Sequence, residues 1–260
     1  MKELIKAKGE IFTTKDLILA LEKVGVKSGD ILCVHTEIFN FGTPLLPKNE
    51  FLSAVLECFW QVLGKNGTLI MPTFTYSFCK NKPFNKLESG STMGVLTEFF
   101  RKQKGVFRSD DPIFSFAVSG AKKDLFLKPC ATCFGVGSVY DELARNNGKI
   151  MLFGTDKLGY TFTHFVEEVA NVSYRYFKEF SGILIDEKGE EKNAKIKYFV
   201  RDLNKNSHLS IAKQIDFLKK NDNFALTQFG AAPIVLIKAK PYLDELLKAF
   251  KKDENCLLES

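Results

Sequence analysis

Several features that would fix the class of this chain at once are missing from it. No apolar run reaches the roughly 18 residues that mark a bilayer span. The opening stretch MKELIKAKGEIF has no continuous apolar segment, so no secretory signal is expected and the default compartment is the cytoplasm. No Lys/Arg block is dense enough to form a nucleic-acid arm, although 37 basic residues outnumber 31 acidic ones and the formal charge is +6. There is no Walker loop, dinucleotide fingerprint, GxSxG elbow, HExxH or paired metal-ligand spacing. Tryptophan occurs once and histidine three times. These absences point away from membrane, nucleic-acid and metal partners.

What remains is ordinary globular material. The 260 residues are 45% hydrophobic and 26% charged, enough to bury a large core without disulfides. Phenylalanine, at 25, reads first as core filling. A homodimer is left open, with surface phenylalanines as its candidate interface. Cys33 and Cys58 fall in buried-looking elements and read as reduced core residues. Cys130 and Cys133 form a CATC, which reads as incidental because no second ligand pair exists; a redox pair and half a zinc site are the alternatives.

Strand and helix patterns alternate along the chain. Thr14 reads as the cap of a helix through about Lys23, and ILCVHT (31 to 36) as a buried strand. A helix is expected from Pro47 to Leu63, a strand ending at Pro72, a helix from Ser91 to Lys104 and a strand from Ser115. Val139 to Asn146 reads as a helix, KIMLFG as a strand, and Thr161 to about Val169 as a further helix. Alternation in EFSGILIDEKGEEKNAKIKYFV predicts a β-hairpin turning near Lys188 and Gly189. The tail reads as a helix (Leu209 to Lys219), a strand (APIVLIKA) and a helix (Tyr242 to Lys251). This alternation predicts one α/β domain over residues 1–260, a three-layer α/β/α sandwich with an added β-hairpin.

The chemistry gathers at expected strand ends. If Thr161 opens a helix, then Thr161, His164 and Glu167 or Glu168 share one face. A carboxylate beside an imidazole fixes its tautomer and raises its basicity, and the C-terminal edge of a sheet is where α/β folds place reacting groups. The other reading is a surface histidine with an exposed glutamate pair. His35 closes ILCVHT beside Thr36 and reads either as part of a site or as a histidine bonding a loop; His208 reads as surface. Hydroxyls cluster in PTFTYS (72 to 77), where Thr73 and Thr75 flank Phe74, and again in RSDDPIFS, with Arg108, Ser109 and Ser115. FGVGS (134 to 138) is a glycine-rich turn whose amides could hold an anion.

In this order, VHTEIFNFG, GTLIMPTFTYSF, STMGVLTEFFR, RSDDPIFSFAVSG, FGVGSVYDEL, GKIMLFGTD and TFTHFVEE resemble the aminoglycoside 3-N-acetyltransferase family over about two-thirds of the chain. The resemblance implies acetyl-CoA as co-substrate and direct acyl transfer to a small-molecule amine. It implies a catalytic His164, a carboxylate partner in Glu167 and hydroxyl support from Thr161, or less directly Thr163. It places a CoA groove around His35, Thr36, Thr73, Phe74, Thr75, Arg108, Ser109 and Ser115. Glu168 and Asp202 are the candidates on the acceptor side, with Arg201 and Asp202 also readable as a hairpin-surface ion pair. The chain departs from antibiotic-modifying relatives in the aromatic run before His164, in Asp111 and Phe114 where histidines are common, and in its positive charge. These departures make the expected acceptor an amino sugar, nucleotide-linked; that it is bound for a surface glycan is what the resemblance to family relatives implies. Aminoglycoside acetylation conferring antibiotic resistance and a non-catalytic CoA- or glycan-binding role are the alternatives.

Overall fold

A computed structural model describes residues 1–259, and among these residues thirteen strands form three sheets beside seven α-helices. The small N-terminal sheet holds β1 (Glu3–Ala7), β2 (Glu10–Thr13) and β4 (Thr43–Pro44). The central sheet runs in the order β12 (Ala225–Phe229), β13 (Ala232–Lys238), β9 (Lys149–Phe153), β3 (Ile31–Thr36), β5 (Thr68–Pro72), β8 (Phe116–Gly120) and β7 (Phe107–Arg108). Its middle strands β9, β3 and β5 are parallel, and the flanking pairings are antiparallel. The hairpin strands β10 (Arg175–Ile185) and β11 (Glu191–Arg201) take β6 (Phe84–Asn85) as a third strand.

Alternation along the middle strands separates two cores. Leu32 and Val34 of β3 point with Leu69, Met71, Met151 and Phe153 toward α1 (Thr14–Val24), α2 (Lys48–Leu63) and α3 (Val95–Phe100). Ile31 and Cys33 point the other way, with Ile70, Ile150 and Leu152. There they meet α4 (Val139–Arg145), α5 (Phe162–Ala170), α6 (Ile211–Lys220) and α7 (Ala239–Lys252). Strands apolar on both faces are what a sheet covered by helices on both sides requires. The α/β/α sandwich with an added hairpin is thus the observed fold.

Phe59, Phe74, Phe116, Phe134, Phe153 and Phe162 are among the largest fully buried side chains, and Cys33 and Cys58 are buried and free. Exposed phenylalanines, Phe39, Phe107 and Phe177, stand on three different elements. No helix among the described residues is long and apolar enough to cross a membrane.

Three readings need correction. Thr13, not Thr14, caps α1: its hydroxyl and the Asp16 carboxylate bond each other's backbone N–H in a capping box. The helix expected from Ser91 to Lys104 shrinks to Val95–Phe100. Thr92 is tied to the Phe74 carbonyl by its N–H and its hydroxyl, and Gly94 takes φ +105°, so residues 91–94 cannot join the helix. Strands β1, β2 and β12, unread in the sequence, are short and partly exposed, so they lack the continuous apolar run that marks a buried strand. The hairpin turn lies where expected: the Asp186 carboxylate accepts the N–H of Lys188 and of Glu190, with Gly189 at φ +83°.

Candidate active site

Helix α5 follows the loop that leaves the C-terminal end of β9, the edge at which β3 and β5 also end. Its Phe162, Phe165 and Val166 are buried against the core shared with α7. That anchoring leaves the i, i+3 pair His164 and Glu167 on one side, Nδ1 and Oε2 2.7 Å apart. The third member comes from the foot of the hairpin. Arg175 Nε stands 2.9 Å from the same Oε2, Nη1 donates to the Phe199 carbonyl at 3.1 Å, and Nη2 is 3.0 Å from His164 Nδ1.

Burial separates the roles of these groups. The side chains of Glu167 and Arg175 are 0% and 1% exposed, whereas His164 keeps 27% of its side chain open. Burial alone would raise the Glu167 carboxyl. The hydrogen bond and charge of His164, with the charge of Arg175, outweigh it and hold the carboxyl below its ordinary value. An ionised carboxylate only accepts, so Nδ1 of His164 must carry the proton that faces Glu167. The close Arg175 Nη2 is then a charge contact with Nδ1, not a hydrogen bond to it. Nε2 makes no protein hydrogen bond among the described residues, so in the neutral ring it is the nitrogen that carries the lone pair. The arrangement can accept a proton at Nε2 and stabilise the resulting imidazolium.

Thr161 stands at the N-cap of α5, where its hydroxyl makes no capping bond, and adjoins the Tyr140 phenol. Thr163, by contrast, is buried, its hydroxyl held by Gln214 at 2.6 Å and by Tyr242 at 2.7 Å. Glu168 is half-buried beside Thr132 and the Phe134 amide, and burial raises its carboxyl. Asp202 lies outside this constellation. Its carboxylate accepts the Asn204 N–H in a turn at the end of the hairpin, while Arg201 contacts His208 and makes no ion pair with Asp202.

The residues expected to hold CoA gather along the same edge, but most are committed to one another. Arg108 Nε donates to Ser115 at 3.0 Å and to Thr73 at 3.2 Å, and its terminal nitrogens bond the carbonyls of Thr73, Lys86 and Ser89. This buried knot ties three loops. Phe74 is a core ring, the Thr75 hydroxyl donates to the Pro112 carbonyl at 2.9 Å, and Thr36 is buried beneath Gly94. His35 is sealed, with Nε2 3.2 Å from the Tyr140 hydroxyl, and burial pushes its imidazole down to about 4.

Of the expected CoA residues, Ser109 reaches a cavity of about 180 Å³ under the hairpin. Its walls include Asp111, Phe114, Phe116, Cys133 and Ile196, with Lys128, Lys192 and Lys195 at its rim. Asp111 is half-buried there and desolvation raises it to about 6, partly offset by the Phe114 and Ile113 amides. Phe134 joins the cavity to the base: its ring centroid is 4.6 Å from that of Phe114 and 5.8 Å from that of His164. Both CATC cysteines are free, Cys130 donating to the Gly137 carbonyl. Among the described residues no cluster of three metal-binding side chains occurs.

One member of the constellation escaped the sequence reading. Arg175 sits in a hairpin strand 11 residues after His164, and no local pattern distinguishes it from the other basic residues there.

A family model described as aminoglycoside 3-N-acetyltransferase matches residues 33–251. The chain belongs to this family of N-acetyltransferases. Aminoglycoside N(3)-acetyltransferase III of Salmonella sp is 24% identical over 184 residues, 62% of this chain and 62% of that protein. The match thus spans less than two-thirds of that relative. The SPbeta prophage-derived aminoglycoside N(3')-acetyltransferase-like protein YokD of Bacillus subtilis is 24% identical over 64% of this chain and 69% of its own. Among solved structures, aminoglycoside acetyltransferase AAC(3)-Xa aligns over 93% of both chains with TM-score 0.80 and 20% identity. AAC-IIIb, solved as a binary complex with CoASH, aligns over 93% of this chain and 97% of its own with TM-score 0.79 and 22% identity. At these identities the two structures establish the acetyltransferase-family fold.

Proposed function

We propose that the protein transfers an acetyl group from acetyl-CoA to the amine of an amino sugar, with His164 as general base. The observation that carries this reading is the half-open imidazole with Nδ1 committed to a buried Glu167–Arg175 pair and Nε2 uncommitted. An ammonium has no lone pair, so its proton must leave before nitrogen can attack. Nε2 takes that proton, the C–N bond forms at the thioester carbonyl, and collapse of the tetrahedral intermediate breaks the C–S bond. The departing CoA sulfur receives a proton from the imidazolium, and the second proton of the attacking nitrogen leaves to solvent, so that the product is a neutral amide. Correct placement of such a base contributes on the order of 10²- to 10⁴-fold. Thr161 supports the oxyanion, a role worth roughly 3 kcal/mol per donor in other acyl-transfer enzymes.

The cavity beneath the hairpin suits the acyl donor. Its apolar walls match a pantetheine arm, and its lysine rim matches phosphates. The knotted residues Arg108, Thr73 and Ser115 shape that edge from behind and would not touch the donor.

For the acceptor, the nearby carboxyls favour a weakly charged molecule over a polycation. Glu167 is neutralised by Arg175, while burial raises Glu168 and Asp111 toward their neutral forms. A nucleotide-linked amino sugar fits the net positive charge; a role in glycan assembly goes with this reading by family resemblance alone. Aminoglycoside acetylation is the second reading, favoured by the names of the relatives.

Thiol release from acetyl-CoA, measured against kanamycin-type aminoglycosides and a panel of free and nucleotide-linked amino sugars, separates the two. Turnover confined to the amino sugars supports the first reading. Turnover of kanamycin, lost in His164→Ala, would replace it with the second.

A further inference from the structure

Helix α5 carries the proposed base in a turn that no side chain caps. Thr161, at the N-cap, offers no side-chain bond to the first amides. The turn is tightened instead: the Thr163 N–H bonds the Tyr160 carbonyl and the His164 N–H the Thr161 carbonyl, each at 3.0 Å. An uncapped helix end frays first. The Glu167 contact orients the imidazole from one turn further on, but it does not hold the backbone that carries the ring.

The residue before the base supplies a second hold. Thr163 is fully buried, its hydroxyl 2.6 Å from Gln214 Oε1 on α6 and 2.7 Å from the Tyr242 hydroxyl on α7. An amide oxygen only accepts, so Thr163 gives its one hydrogen to Gln214, and Tyr242 donates to Thr163. Gln214 Nε2 donates in turn to the carbonyl of Ser210, the residue that caps α6, at 3.2 Å. The Tyr242 ring stacks on Phe162, with centroids 5.4 Å apart. The Thr163 hydrogen is thereby committed to the core and cannot serve an oxyanion.

We propose that Gln214 and Tyr242 are positioning residues for the general base: through Thr163 they fix the first turn of α5, and with it the direction of His164 Nε2. This rests on the reading of His164 as that base. Both side chains are buried and act only through Thr163. The base is then held at two points, by Glu167 at its Nδ1 and by Thr163 at its backbone. A displacement of about 1 Å near a reacting atom can cost on the order of a hundred-fold in rate, so loosening this turn acts on kcat before it acts on donor binding.

Thr163→Val keeps the shape and removes the hydroxyl. With acetyl-CoA and kanamycin, or a nucleotide-linked amino sugar where kanamycin is not turned over, kcat is expected to fall at least about ten-fold while KM for acetyl-CoA stays within about two-fold. Thr163→Ser, which restores the hydroxyl, is expected to recover most of kcat. Thr163→Val also strands two buried polar groups, which lowers the melting temperature whatever the network does for the base. Adding Gln214→Leu and Tyr242→Phe removes the stranded groups and should restore the melting temperature but not kcat. Wild-type kcat in Thr163→Val, or kcat that recovers with stability in the triple variant, overturns the proposal.

Proton NMR reads the base without turnover. The Nδ1–H of His164, bonded to Glu167, gives a downfield resonance assigned by its loss in His164→Ala. Well below the melting temperature it should broaden or vanish in Thr163→Val and return in Thr163→Ser. An unchanged resonance in Thr163→Val refutes the positioning role. His164→Ala reports separately on the underlying reading, since activity retained in that variant removes the general base however the Thr163 variants behave.

Discussion

His35 and His164 stand a few ångströms from one C-terminal sheet edge, yet the chain treats them as opposites. His164 leaves its strand by a loop, keeps a quarter of its ring open and is backed by a buried carboxylate and arginine. His35 remains within β3, is 3% exposed and has only a phenol for company. Position at a strand end therefore does not make a histidine basic. The charge behind it and the water in front of it do. A ring with an ionised partner can gain a proton; a ring in apolar surroundings is kept neutral and serves as a fixed dipole.

The comparison can be broken most directly by exchange of losses. His164→Ala is expected to lower kcat/KM on the order of 10³-fold in the thiol-release assay, with little change in melting temperature. His35→Ala should instead lower stability by about 2–4 kcal/mol in urea titration, the signature of a core truncation. Equal effects on activity and stability in both variants would dissolve the distinction. Glu167→Ala comes next. It leaves Arg175 buried without its counter-charge and is expected to cost about 3–5 kcal/mol in stability as well as activity.

Acid titration sharpens the contrast further. Burial lowers the His35 imidazole from 6.5 to about 4, so between those values the unfolded chain binds a proton that the folded one refuses. Stability therefore falls as pH drops from 6.5 to 4, by roughly 3 kcal/mol for this one group. Asp111 works in the opposite sense. Its carboxyl, raised from 3.8 to about 6, is protonated earlier in the folded state, so it adds stability as pH falls through that range. Urea melts at pH 7, 5.5 and 4 in an Asp111→Asn background should display the His35 loss, and His35→Gln should abolish it. The smallest expected effect is that of Gly159→Ala. The added methyl meets His35 at a residue with φ +94°, and the cost should be about 1–3 kcal/mol with a fall in kcat as Thr161 is displaced.

Much of this was legible in the linear chain. Apolar runs such as ILCVHT and KIMLFG place the buried strands, and the three-residue step from His164 to Glu167 places both on one helix face. Elements whose reasons are tertiary were not legible. The segment 91–94 offers cap residues for a helix but is stapled to Phe74, and β12 is an edge strand with three of its five residues exposed. Arg108 and its hydroxyl neighbours carry the residue types of an anion site, yet the fold engages all three nitrogens of the guanidinium on its own chain. Arg175 illustrates the converse, since only strand pairing with β11 and contact with α5 reveal its partner.

The foot of the hairpin carries Arg175, while most of the remaining hairpin residues are exposed or only partly covered. Leu184, Ile196 and Phe199 are the buried apolar anchors of the arm that supplies the counter-charge to Glu167. Partial undocking of this arm would admit water to Glu167 and silence the imidazole while the central sheet stayed intact. Catalysis in this protein is thus expected to be the most fragile of its cooperative units: in rising urea, turnover should fade ahead of the circular-dichroism transition.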